Sequence, residues 1–489
     1  MHRFSTLSVF CLLPLLSACA PAGRPVRPRP AHAPSIDTLT LRAHTFFLAH
    51  DLLRGRATGS HGAAVAANYI VSECRRLGLE PVGGSFMHAV PLELSVPVAG
   101  GTALTVFAPN GDSARFTLQR DFVPTGGTRA SLRGFAGQLV WVGGADEIRE
   151  RPEALPTLSG AVAVTAGAVR RPAAEILARH GAVGMVHLIA DTGTYRLHTA
   201  SRGRDFLVLT DTTVRSSFFP PIPAVIAGPQ LSRALVAAAR RGGTVRVTLD
   251  LERRPVHAAN IACLLPGADE RLGDTALVFT AHYDHLGIGT PDERSDSIYN
   301  GFSDNAAGVA MLLAIAEEVR NTPERALRHS VLFLFFTGEE RGLLGSDYFV
   351  ARPPVPLSRM RALINLDAGA PPARPWHWRV AGGTGNPLGA LAKDVAASHG
   401  WSVTTSPATA NSDYYPFAQE GVASVFIIPR LPYQGLSADS SQALQRRWDR
   451  YHQAADEFYE EFPFAGLQRY AEFAYLLALA VDRNPGRVE

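Results

Sequence analysis

The sequence predicts an α/β fold: a mixed, mostly parallel central sheet flanked by helices and interrupted by an inserted β-rich domain. Three observations carry this expectation. From about Asn260 onward, strands nearly continuous in apolar residues alternate with helical patterns, as strands buried on both faces do. Between Ala89 and Asp250 the texture changes to short β-rich runs broken by Gly and Pro. The composition, 46% hydrophobic and 19% charged over 489 residues, is that of a globular chain and excludes wholesale disorder.

The elements follow in order. Met1 to Arg3 carry positive charge, and Phe4 to Ala18 form an apolar stretch too short to span a bilayer. It ends in Leu16-Ser17-Ala18-Cys19, an arrangement that resembles the lipobox of bacterial lipoproteins. Residues 1–19 are therefore expected to be a lipoprotein signal, with Cys19 lipidated and the mature chain facing an extracytoplasmic space. With Ala20 after the Cys, a diderm source implies the outer membrane. Residues 20–35, rich in Pro and Arg, read as a tether. Helices are predicted on the face formed by Leu39, Leu41, Phe46, Phe47 and Leu52, and over Ala63 to Leu77, closed by Gly78. Residues 36–95 then form the first part of the main domain, 96–250 the insert and 251–489 the remainder.

Within the insert, strands read at Thr102–Phe107, Gln138–Val142, Ala161–Val164, Met185–Ile189 and Val245–Leu249, with a single helix from Pro172 to His180. Beyond it, strands read at Ala276–Thr280, Val331–Phe336, Ala362–Leu366 and Val422–Ile428, and helices at Ala306–Arg320, Gly389–His399 and Leu467–Val481. Cys74, on a helical pattern, and Cys263, in the apolar strand Ile261–Leu265, are expected to be two buried free thiols, although an exported pair could also form one disulfide. A net charge of +3 is too balanced to point to nucleic acid.

The chemistry sits at strand ends, where open α/β sheets bind ligands. Ala281-His282-Tyr283-Asp284-His285 follows the first of the late strands. A His two residues before an Asp can ligate metal through one ring nitrogen while a carboxylate takes the other N–H. Asn300 to Gly308 is a loop opening a helix, and its Asp304 could lend both oxygens to two cations. Thr337-Gly338-Glu339-Glu340 follows another strand, and its adjacent carboxylates point in different directions. Asn365-Leu366-Asp367 ends a third, and Arg450 to Asp456 supplies His452 with Asp456 at helical reach. His282, Asp304, Glu340, Asp367 and His452 make a nitrogen and oxygen set that suits Zn²⁺, with Mn²⁺ or Co²⁺ possible. Five ligands exceed what one catalytic zinc takes but fit two zincs sharing a carboxylate.

These motifs resemble the di-zinc exopeptidases that include bacterial leucyl aminopeptidases, aminopeptidase Y, glutamate carboxypeptidase II and the transferrin-receptor ectodomain. The resemblance covers about residues 40–95 and 255–475. It implies that His282 and Asp367 hold one zinc, Glu340 and His452 the other, and that Asp304 bridges them. It further implies Glu339 as general base, Asp284 as the carboxylate behind His282, and a cis peptide at Asp304-Asn305. The expected activity is removal of residues from free amino termini of peptides. Carboxypeptidase action, glutaminyl cyclisation on a similar fold, and a non-catalytic ectodomain are the alternatives. Two departures stand out: Tyr414 replaces the usual His of a Ser-Asp-His segment, and Ala368 stands where Met is frequent. Tyr414 and Tyr415 are either oxyanion-stabilising hydroxyls or packing residues.

The insert resembles a protease-associated domain through Leu158 to Val164, the helix ending at Gly181 and the strand Ile222–Ile226. Gly382-Gly383-Thr384-Gly385 reads as a turn. Trp376-His377-Trp378 reads as strand packing rather than a specificity pocket. His285 is left between substrate contact and a structural hydrogen bond.

Overall fold

The computed structural model describes residues 36–169, 171–201, 205–322 and 327–488. The signal, Cys19 and the tether lie outside the described residues.

The main sheet follows from strands whose two faces are both apolar. Its strands are β1 (Met87–Pro97), β2 (Phe206–Leu209), β3 (Leu251–Leu265), β4 (Ala276–His282), β5 (Ser330–Phe336), β6 (Met360–Asn365), β7 (Pro375–Ala381), β8 (Ser402–Ser406) and β9 (Ser424–Tyr433). They lie in the order β8-β7-β9-β6-β4-β5-β3-β1-β2, and a short strand at Glu80–Pro81 pairs with β3. Strand β4 runs parallel to both β5 and β6, and β6 is parallel to β9. Beyond β5 the pairing turns antiparallel through β3, β1 and β2. The sheet is therefore mixed, with parallel strands around β4.

Side chains of β5 show why this sheet is a middle layer. Val331, Phe333 and Phe335 join a core with helices α1 (Thr38–Leu48), α2 (His61–Arg76), α3 (Ala307–Asn321), α4 (Pro387–Ser398) and α5 (Ala465–Arg483). Leu332, Leu334 and Phe336 join another with Phe349 and Phe417, on the helices Leu344–Ala351 and Tyr414–Gln419. The period-two alternation sends successive residues to opposite faces, and both faces are covered. Helix α3 is buried on every side from Ala307 to Ala316, as expected of an all-apolar helix pressed against a sheet. Trp378 on β7 packs against Phe473 at 4.8 Å, so this aromatic is strand packing.

Two sequence expectations are corrected. Cys74 and Cys263 are joined in a disulfide, with Cα atoms 6.3 Å apart across a separation of 189 residues. Helix α2 lies over β3, a juxtaposition that neither local pattern could announce. The inserted segment also carries more helix than expected. Its eight-stranded sheet has a parallel run of Phe135–Gly143, Val162–Ala166, Gly184–Leu188 and Ala224–Ala227. Alongside stand helices Ala145–Glu150, Arg171–Arg179, Thr192–Ser201 and Pro229–Ala239, where the sequence showed only the second. Ala145–Glu150 is too short to show a period and Thr192–Ser201 carries few apolar residues, whereas Pro229–Ala239 has a readable period at Leu231, Leu235 and Ala238. One strand of the segment, β2, leaves this sheet and pairs with β1 in the main one.

Candidate metal centre

Three parallel strands end at the same level, which brings distant residues together. His282 is the last residue of β4 and pairs with Phe336, the last of β5; Thr337 and Gly338 then lead into Glu339 and Glu340. Thr280 pairs with Asn365 at the end of β6, two residues before Asp367. Asp304 comes from the turn Phe302–Ala306 that opens α3, and the Asp304-Asn305 peptide is cis, as the resemblance implied. His452 enters from a turn outside the sheet, with a left-handed φ of 57°.

The five expected donors converge. His282 Nε2 lies 3.0 Å from Asp367 Oδ1 and 3.2 Å from Asp304 Oδ1. On the far side of Asp304, His452 Nε2 lies 3.0 Å from Asp304 Oδ2 and 3.2 Å from Glu340 Oε2. Asp304 thus presents one oxygen to each imidazole, the arrangement a bridging carboxylate needs. Glu339 stands beside the set, its Oε2 3.9 Å from His282 Nε2. Possible ligand atoms of His282, Asp304 and Glu340 all lie within 4.8 Å of one another, as do those of His282, Glu339 and Asp367. Four carboxylates, Asp304 buried and the other three half-buried, face two imidazoles and form a donor set that fits divalent zinc, without any thiolate.

Electrostatics reflect this crowding. Burial opposes the charge of His282, yet Asp367 and Glu339 hold its imidazole well above the usual range. Burial drives the Glu339 carboxyl well up, and Asp367, Glu340 and Asp413 add to the rise. Asp304 goes the other way: despite burial, hydrogen bonds with His282 and His452 keep it well below its ordinary value.

The surrounding partners differ in part from expectation. The Asp284 carboxylate does not bond the His282 ring, because its Oδ1 is 3.7 Å from Nδ1. The backbone carbonyl of Asp284 meets Nδ1 at 3.0 Å instead. The carboxylate accepts from Thr58 Oγ1 at 2.7 Å and from the Glu339 amide at 3.3 Å, so it steadies the turn that carries Glu339. Asp456 does not back His452 from a helix, since residues 449–463 contain none. It accepts from the amides of Ser303 at 3.0 Å and Asp304 at 3.3 Å, and so holds the Asp304 turn. His285 makes a structural bond, with Nδ1 2.7 Å from Glu340 Oε1.

Neither expected tyrosine points at the centre. The Tyr414 hydroxyl accepts from the Thr409 amide at 2.9 Å, and that of Tyr415 accepts from Gln419. The tyrosine that the sequence reading missed is Tyr451, whose ring stacks on His452 at 3.8 Å. Burial, then Asp304 and Glu340, hold its hydroxyl far above the usual tyrosine range. Its adjacency to His452 was the available signal. Two further residues were missed. Ser412 donates to Asp367 Oδ2 and accepts from Asn365 Nδ2 at 2.7 Å, which locks the ligand's second oxygen. Arg56, fully buried, donates to the carbonyls of Tyr283 at 2.9 Å, Asn300 at 2.5 Å and Gly301 at 2.9 Å. It ties the His282 and Asp304 loops together, and burial lowers its guanidinium to about 10.

Residues 260–477 match the model of peptidase family M28. It is 27% identical over 151 residues to aminopeptidase Y of Saccharomyces cerevisiae, covering 29% of this chain and 28% of that one. It is 36% identical over 73 residues to a protein named probable leucine aminopeptidase 2 of Aspergillus oryzae, covering 15% and 14%. A probable zinc metalloprotease of Leptosphaeria maculans is 27% identical over 113 residues, 23% of this chain and 25% of that one. The chain thus spans roughly a quarter or less of the length of these curated relatives. Among solved structures, the aminopeptidase from Aneurinibacillus sp. strain AM-1 superposes with a TM-score of 0.55 at 18% identity, covering 91% of this chain and 93% of that one. That likeness shows a shared fold. The family match agrees with the peptidase class expected from the motifs.

Proposed function

We propose that the protein is a zinc-dependent aminopeptidase that holds two ions. The observation that carries this reading is Asp304, whose two oxygens face His282 and His452 separately. His282 and Asp367 would hold one zinc and Glu340 and His452 the other, with Asp304 common to both. When bound, the pair would lower the pKa of a shared water and polarise the scissile carbonyl. Glu339 takes the water's proton and later delivers it to the leaving amine, because its carboxylate is the one beside the set that no imidazole binds closely. Asp284 holds the Glu339 amide, and so fixes the base from below. Tyr451, whose ring stacks on His452, is the tyrosine we assign to donate to the developing oxyanion, since the hydroxyls of Tyr414 and Tyr415 have partners elsewhere.

The test is a peptide panel with free, amino-blocked and carboxy-blocked ends. Hydrolysis that needs only a free amino end supports the reading. Cleavage that needs a free carboxy end, or pyroglutamate formation from amino-terminal Gln, rejects it. Metal analysis of stripped and reloaded protein should give about two zincs per chain, as for a two-metal site. We further infer export and lipid anchoring at Cys19, supported by Leu16-Ser17-Ala18-Cys19 at the end of the apolar stretch. Cys19→Ser should release the protein from membranes or block its processing; an unmodified mature terminus elsewhere rejects the anchor.

A further inference from the structure

The turn that carries Glu339 and Glu340 is closed locally by few bonds. Gly342 and Leu343 donate to the Glu339 carbonyl at 2.8 and 3.0 Å, and Leu344 donates to that of Gly338 at 3.0 Å. Its outer side is covered by residues of the inserted segment. Phe219 lies against Gly342, where φ is +101° and any Cβ would collide with the phenyl ring. The same ring, along its Cδ2–Cε2 edge, also meets Gly127, which has no room for a Cβ either. Asp205 forms an ion pair with Arg341, the residue between Glu340 and Gly342.

The stretch that delivers Phe219 is itself fastened to the main domain. Arg352 pairs with Asp211 at 2.9 Å and donates to Thr213 Oγ1 at 2.6 Å. The Ser217 amide donates to the buried Asp347 carboxylate at 2.8 Å, and Ser217 Oγ donates to Gln419 at 3.0 Å. The Ser216 hydroxyl accepts from the amides of Phe218 and Phe219 at 3.2 and 3.0 Å, which fixes the bend presenting the ring. The ring therefore arrives on a braced arm and ends in a slot made by two glycines from different parts of the chain.

We propose that Phe219 is a positioning residue for the reaction: the inserted segment uses it to hold the Glu339-Glu340 turn in working geometry. The inference rests on the reading of Glu339 as the base. Phe219 touches the turn through Gly342, three residues from that carboxylate. Without it Gly342 loses its packing partner, and although Asp284, His285 and Asp205 still hold Glu339, Glu340 and Arg341, the left-handed glycine that follows them gains conformational freedom. Displacing a catalytic group by a fraction of an ångström from a remote site slows the chemical step more than binding.

The experiment uses the mature full-length enzyme, zinc-loaded, as Phe219→Ala, Phe219→Leu and Asp205→Ala. Phe219→Ala should lower kcat about tenfold or more, leave KM within about twofold, and be largely rescued by Phe219→Leu. Amide exchange at Gly342, Leu343 and Leu344 should speed up in Phe219→Ala, while α3 keeps its protection. Unchanged exchange in that turn overturns the proposal, whatever happens to kcat; so does a kcat within about twofold of the parent. If Phe219→Ala does not fold, Asp205→Ala decides through the same amides, and unchanged exchange there rejects the coupling. A fully active Glu339→Gln would remove the base reading alone, because the exchange result still reports whether the insert holds the turn.

Discussion

His282 and His452 face the same carboxylate, Asp304, and are built in opposite ways. His282 closes a strand flanked by two parallel neighbours, is 1% exposed, and has its second nitrogen held by the Asp284 carbonyl. His452 sits at a left-handed position on a turn, its side chain is 37% exposed, and Tyr451 stacks on it. The turn reaches the site by docking on the Asp304 loop, where Phe302 donates to the Asp456 carbonyl at 3.0 Å and Asp456 accepts from Ser303. Sites on strands are held more tightly than sites on loops. The half of the centre around His282 should therefore be the stiffer and the His452 half the more adjustable.

The largest effect lies between the halves. Glu339→Gln leaves both histidines in place, so it should keep both zincs and the fold. Peptide hydrolysis should still fall by roughly a hundredfold or more, the range for loss of a general base. Near-normal turnover on a good peptide would show that neither half relies on Glu339.

Next come the outer supports, which sharpen the contrast. Asp456→Asn should weaken zinc binding about ten- to hundredfold through the Asp304 loop, because partners behind ligands carry effects of that size. Ser412→Ala, which frees one oxygen of Asp367, should act on the His282 half and fall in the lower part of the same range, near about tenfold. Chelator competition reads both. Equal losses at the two sites would erase the distinction between a strand-held and a loop-held ligand.

Thermal unfolding of zinc-stripped protein separates the histidines themselves. His282→Ala opens a buried position and strands Asp367 and Asp304, so its Tm should drop clearly; His452→Ala, at an exposed turn, should shift Tm by only a few degrees. A larger drop for His452→Ala would reverse the assignment of stiffness.

The smallest effect concerns the arm that braces the catalytic turn. Burial raises the Asp347 carboxyl to about 7, although the Ser217 amide opposes the rise. In the unfolded chain this group titrates near its ordinary 3.8. Between those values the folded state keeps a proton that the unfolded state has lost, so this group's contribution to stability falls as pH rises from about 4 to about 7 and is flat above. Asp347→Asn should remove that slope, a change of a few degrees in Tm across the window. An unchanged profile would mean that the carboxyl is not buried at the junction.

Much of the centre was legible because it is local to strand ends. His282, Glu339, Glu340 and Asp367 each follow an unbroken apolar run by a residue or a few, and such runs are the clearest signal a sequence carries. Asp304 was legible as the acid opening an all-apolar helix. Asp456 was read wrongly: the spacing from His452 suits a helix, and only a helix would have aimed it at that ring. The turn that forms there sends it to Ser303 instead.

What the sequence alone determined, then, is the layered α/β body and which residues to nominate as donors beside its strand ends, because strand burial and the residue that follows a strand are both short-range properties. Tertiary structure alone decided which atom of Asp284 meets His282, that Tyr451 stacks on His452, that Cys74 bonds Cys263, and that Phe219 lies on Gly342. Each of these depends on where one element rests upon another. No periodicity encodes such placement, because it is set by the packing of faces from residues distant in the chain.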